Sequence, residues 1–88
     1  MIVYLDTSAL VKLYINEEGT PLVREAVQNS LIVATSKVAY AEARSAFARA
    51  YREKIIDTST HDEIVVALKQ DWKNYLKIEV TDELIELA

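Results

Sequence analysis

Three times in 88 residues a short, largely apolar run stops at a carboxylate or hydroxyl and gives way at once to a helical pattern. The first run, Ile2-Val3-Tyr4-Leu5, ends in Asp6-Thr7-Ser8. The second, Leu31-Ile32-Val33-Ala34, ends in Thr35-Ser36, and the third, Ile78-Glu79-Val80, ends in Thr81-Asp82. Short runs rich in β-branched residues suit strands, and an unbroken run such as the first suits one buried on both faces. Strands joined by helical crossovers pair in parallel. This punctuation therefore predicts an α/β chain whose strand ends collect polar groups and helix N-termini on one rim.

The segments between the strands carry ordinary helix signals. Ala9, Leu10, Val11, Leu13, Tyr14 and Ile15 read as a short helix, stopped by Asn16-Glu17-Glu18 with Gly19 in the left-handed conformation. Thr20 is expected as the N-cap of a second helix, with Pro21 in its first turn and Leu22, Val23, Ala26 and Val27 on one face. A third helix is expected from Lys37 to about Lys54, with Ala39, Ala43, Ala46, Phe47 and Ala50 on one stripe. Thr60 and Glu63 suggest a capping box opening a fourth, which carries Ile64, Leu68, Trp72, Tyr75 and Leu76. A fifth starts at Thr81. Trp72 reads as a core anchor rather than a stacking platform for a base, because it falls on the apolar stripe. Glu79, central in the third run, points to an edge strand.

Composition narrows the classes of function. With no cysteine there is neither a disulfide framework nor a thiolate metal site, which fits the cytoplasm. Strand pattern starts directly after Met1, so no leader peptide is expected, and no apolar run reaches the roughly 18 residues of a membrane span. The formal net charge of −4 argues against holding nucleic acid by bulk charge. Contact with a phosphate backbone would need a bound metal or a local basic patch.

Two carboxylates stand out. In open α/β sheets the functional crevice lies beyond the carboxyl ends of the strands, where Asp6 falls; Asp6 is also well placed to cap a helix. Glu42 lies six residues past Ser36, about 9 Å along the third helix, and its side chain leans back toward the same rim. Flanked by Val38, Ala39, Ala43 and Ala46, it is expected at the edge of the buried stripe, where a charge needs a partner. Periodicity leaves that partner open between an arginine and a divalent cation shared with Asp6.

The stretches Asp6-Thr-Ser-Ala-Leu-Val-Lys-Leu-Tyr14, Glu17-Glu-Gly19 and Val33-Ala-Thr-Ser36, with Ala39-Tyr-Ala-Glu-Ala-Arg-Ser-Ala46, resemble the PIN-domain superfamily. Within it they are most similar to VapC-type toxins of toxin–antitoxin pairs. The resemblance implies a single PIN-like domain over residues 1–88, three-layered (α/β/α) around a parallel sheet, with three strands and about five helices. It also implies an incomplete one, because the family's third acid belongs to a later strand–helix unit; Asp82 reads as a helix cap instead. The implied activity is hydrolysis of RNA phosphodiester bonds with Mg²⁺ or Mn²⁺, restrained by a cognate antitoxin. Asp6 and Glu42 match the catalytic metal ligands, and Thr7 and Ser8 the hydroxyls that support the first of them.

Lys12 and Lys37 flank the expected rim and are the candidates for meeting RNA. Arg44, Arg49, Arg52 and Lys54 crowd the end of the third helix, where cations are favourable in any case. His61 reads as a surface residue. A dehalogenase-like phosphatase would need a second Asp where Ser8 stands. Two carboxylates hold a hard ion weakly, so the chain is expected to cut RNA poorly or not at all. The alternative to an enzyme is a non-catalytic truncated PIN fragment that binds antitoxin or a second copy of itself. Self-association is expected either way, since the first strand would keep an open apolar edge.

Overall fold

Three strands and four helices alternate in the computed structural model, which describes residues 1–79. They are β1 (Ile2–Tyr4), α1 (Thr7–Lys12), α2 (Thr20–Gln28), β2 (Ile32–Ser36), α3 (Lys37–Arg52), α4 (Thr58–Trp72) and β3 (Leu76–Ile78). The sheet is parallel in the order β1-β2-β3, with Val3 beside Val33 and Thr35 beside Lys77. All three strands thus end on one rim, where the stops at Asp6 and Thr35-Ser36 lie; the third expected stop, Thr81-Asp82, and the cap expected at Asp82 fall outside the described residues.

The core forms between one face of this sheet and the helices. Leu5, Leu10, Val11, Ala39, Ala43, Phe47, Ile64 and Leu68 are buried together, with Val3 and Val33 packed against them. Ala39 and Ala43 let α3 approach closely, and Phe47, one turn further, fills the space toward Tyr14, whose ring meets it edge-on at 5.9 Å. A sixteen-residue helix with this stripe is held mainly by burial; truncating Phe47 to Ala would cost about 3–5 kcal/mol. Gly19 takes the left-handed conformation (φ 91°) and itself stands at the N-cap of α2. Thr20 is the first residue of that helix, and its buried hydroxyl donates to the Lys12 carbonyl and accepts from the Glu17 N–H.

The opposite face of the sheet carries no helix among the described residues. Ile2, Tyr4 and Ile32 are 60%, 49% and 43% exposed, and Leu76 and Ile78 share their face. The strand order explains this. A chain that steps β1-β2-β3 in one direction through right-handed crossovers lays every connection on the same side. The expected three-layer arrangement is therefore two layers within residues 1–79, and β1, expected to be buried on both faces, is an edge strand open on one.

Other boundaries differ from expectation. Four helices are present among the described residues rather than about five; the fifth, from Thr81, lies outside them. Helix α4 starts before Thr60: Asp57 is its N-cap, accepting the Thr60 N–H at 2.8 Å, and that bond holds the Asp57 carboxyl below the usual carboxylate range. Glu63 accepts from Ser59 instead of closing a capping box. β3 is Leu76–Ile78 rather than residues 78–80, because α4 stops at Trp72 and the turn through Asn74 frees Leu76 to pair with Ala34.

Candidate functional site

Asp6 follows the last core residue of the first strand segment and is exposed on the rim. Its backbone is extended, and its Oδ1 accepts the Ala9 N–H at 2.9 Å, so it is the N-cap of α1. Such a cap fixes the carboxylate's orientation while leaving Oδ2 without a protein hydrogen bond among the described residues.

Glu42 reaches the same rim from the second turn of α3. Ser36 caps that helix by accepting the Ala39 N–H at 3.0 Å, which sets α3 running directly from the end of β2. The buried positions 39, 43, 47 and 50 define the inward face, and Glu42 stands on the flank beside α1. The Thr7 hydroxyl donates to Glu42 Oε1 at 3.0 Å. This bond spans 35 residues of sequence and brings Glu42 against Thr7, the neighbour of Asp6 in the chain.

Glu42 is exposed, in contrast to the half-buried position expected of it. Water solvates it, so no buried charge demands a partner. Ser8 is likewise not a support for Asp6: its Oγ accepts the Lys12 ammonium at 2.8 Å, an i to i+4 contact along α1. Lys37 lies apart, lining a recess with Val38, Lys77, Ile78 and Glu79. The groove at Glu42 is lined by Thr7, Ala41, Glu42, Ser45, Ala46 and Arg49. Arg49 thus shares the groove that Lys12 and Lys37 were expected to serve. The signal was present in the sequence, since residues seven apart lie on one helical face.

The oxygen donors fit a hard divalent cation only in part. Among the described residues there is no group of three or more His, Cys, Asp or Glu side chains that could hold an ion. Mg²⁺ is commonly held by one or two carboxylates, completed by water and phosphate oxygens, and the free oxygens of Asp6 and Glu42 match that sparse set. Bound there, such an ion would supply positive charge for a phosphate and lower the pKa of a coordinated water.

Trp72, expected as a core anchor, is partly exposed and stands outside the buried cluster, in an aromatic group of its own. Tyr40 packs against it at 4.7 Å between ring centroids, the Lys77 ammonium sits 5.2 Å from its centroid, and Tyr75 meets it edge-on. His61 is partly buried in α4, its ring 5.6 Å from that of Tyr51 and its Nδ1 3.4 Å from Asp62, away from the carboxylates. A second polar cluster ties α1 to α4: the Tyr14 hydroxyl donates to Asp71 Oδ2 at 2.8 Å and lies 2.6 Å from the Tyr75 hydroxyl.

No protein-family model, curated protein or solved structure matches this chain. No helix among the described residues is long and apolar enough to cross a membrane.

Proposed function

We propose that this chain is a PIN-type endoribonuclease domain of the VapC toxin kind, hydrolysing RNA phosphodiester bonds with Mg²⁺ or Mn²⁺ in the cytoplasm and restrained by an antitoxin. One observation supports the reading: Glu42, on the helix that follows the second strand, accepts from Thr7, the residue next to the carboxylate Asp6 at the end of the first. On this reading Asp6 and Glu42 hold the cation. The Ala9 N–H orients the first carboxylate and Thr7 the second, so neither has to be ordered when substrate arrives. Neither Ser8, tied to Lys12, nor His61 has a nucleophilic or proton-transfer role. With two carboxylates for the ion, hydrolysis is slow.

A second reading is favoured by the open apolar sheet face: a non-catalytic PIN fragment that binds antitoxin or a second copy of itself. Incubation of the chain with labelled single-stranded RNA separates the two. The nuclease reading expects slow cleavage with Mn²⁺ that disappears in chelator and in Asp6→Asn. Cleavage indifferent to both treatments contradicts it, and intact RNA beside a Mn²⁺-stabilised protein supports the binding module.

A further inference from the structure

We propose that Arg49 is a phosphate-binding residue for a single-stranded RNA lying along α3, an inference that rests on the ribonuclease reading above. Arg49 and Glu42 line the same groove, seven residues and about 10 Å apart along the helix axis. Hydroxyls of Thr7 and Ser45 stand beside them, and Ala41 and Ala46 keep the floor low. The groove thus has a carboxylate at one end, a guanidinium at the other, and small or hydrogen-bonding residues between.

A polyanion meets opposite conditions at the two ends. At Glu42 and Asp6 a phosphate is repelled unless a cation intervenes, whereas at Arg49 it finds a fixed positive charge that needs no metal. Guanidinium binds phosphate oxygens bidentately, which fixes register as well as adding affinity. With a net charge of −4, the protein needs such a local contact to hold RNA at all.

Of the cations near the rim and on α3, Arg49 alone lines the groove with Glu42, and it also borders a second recess with Glu17 and Glu53. Lys12 donates to Ser8, and Arg44 lies over the Tyr40 ring, 5.9 Å from its centroid. Lys37 lines a different recess, and Arg52 and Lys54 line another at the turn between α3 and α4. Arg49 makes no side-chain ion pair among the described residues. A cation in the last turn of α3 also complements the helix dipole, so the test must separate the two roles.

Fluorescence anisotropy with labelled oligouridine, run to about 10⁻⁴ M protein, reads both ends of the groove. In chelator, Arg49→Ala should weaken binding about tenfold. It should also make the dependence of log K on log salt shallower by about 0.7, the share of one phosphate contact on a single strand. Arg52→Ala, with the same charge change on the same helix, should leave both nearly unchanged. Arg49→Lys keeps the salt slope but loses affinity, and it decides the matter should the Ala variant melt early. Asp6→Asn, which removes one of the repelling charges, should bind somewhat tighter than the parent in chelator and lose the gain produced by Mn²⁺. Parent-like affinity and slope in Arg49→Ala overturn the Arg49 assignment; a Mn²⁺ gain abolished by Asp6→Asn would then still support the ribonuclease reading. A parent that binds no RNA, with or without Mn²⁺, overturns both.

Discussion

Replacing Tyr14 by Phe should loosen the chain where α1 meets α4, and do so in a pH-dependent way. Asp71 can only accept when ionised, so Tyr14 gives it the one phenolic proton and Tyr75 donates into Tyr14. The variant loses a hydrogen bond to a charged acceptor and leaves the Tyr75 hydroxyl short of its partner, while keeping the ring contact with Phe47. Bonds of this type contribute about 1.5–3 kcal/mol, but Asp71 is exposed and regains water, so we expect about 1–2 kcal/mol. For a domain of this size that lowers Tm by roughly 4–16 °C.

Burial, followed by its hydrogen bonds with Tyr75 and Asp71, pushes the Tyr14 phenol far above its ordinary range, and burial raises Tyr75 as well. A folded-state pKa above the unfolded value of about 10 means the stabilisation is complete below pH 10. It falls as pH rises further, because the unfolded chain then releases a proton that the folded chain keeps. Partial exposure makes the fall shallower than the limiting value of about 1.4 kcal/mol per pH unit. Melting curves by circular dichroism between about pH 7 and pH 11 should show the parent losing stability above pH 10 faster than Tyr14→Phe. Equal Tm at pH 7 together with parallel alkaline slopes would refute this account of the cluster.

Two further perturbations address the helix end and the sheet. Lys54 sits at φ 61° just past α3, where the Ile55 N–H reaches the Ala50 carbonyl and the Lys54 N–H the Tyr51 carbonyl. Lys54→Gly relieves a left-handed side chain and should stabilise by about 0.5–1 kcal/mol, read as a higher urea midpoint at unchanged m. The parent should self-associate in light scattering at high micromolar concentration through the open β1 edge and sheet face, and Tyr4→Lys should return it to monomer; equal mass for both would exclude that surface.

Much of the local structure could be read from residue order. The run through Leu5 that ends at Asp6, the Ser36 cap, and the Ala39–Ala43–Phe47–Ala50 stripe each rest on a period or a cap set within a few residues. Gly19 belongs with them. What could not be read depends on distant pairing. Nothing near Ile2 or Tyr4 shows that the chain moves across the sheet in one direction and leaves their face open. Four consecutive cap-forming residues, Asp57 to Thr60, offered several starts for α4, and the apolar stripe ran past the true helix end into Leu76. At the site, Asp6 and Glu42 could be found but the exposure of Glu42 could not, since it depends on which flank of α3 meets α1. The Lys12 ammonium turns back along α1 onto Ser8, and the place of Arg49 beside Glu42 depends on which flank of α3 faces α1.

Thermal melting of the parent, Asp6→Asn and Glu42→Gln, each with chelator and with millimolar Mn²⁺, tests whether the two carboxylates share one cation. Asn caps a helix about as well as Asp, so Asp6→Asn preserves the bond to Ala9, whereas Asp6→Ala would cost about 1 kcal/mol by losing it. In chelator both charge-neutral variants should melt at or above the parent, because one of two neighbouring like charges is gone. Mn²⁺ should stabilise the parent by about 2.7 kcal/mol at a hundredfold excess over its Kd, and each variant far less. Equal Mn²⁺ shifts in all three proteins, or no shift in the parent, would contradict a shared site and leave Asp6 a helix cap.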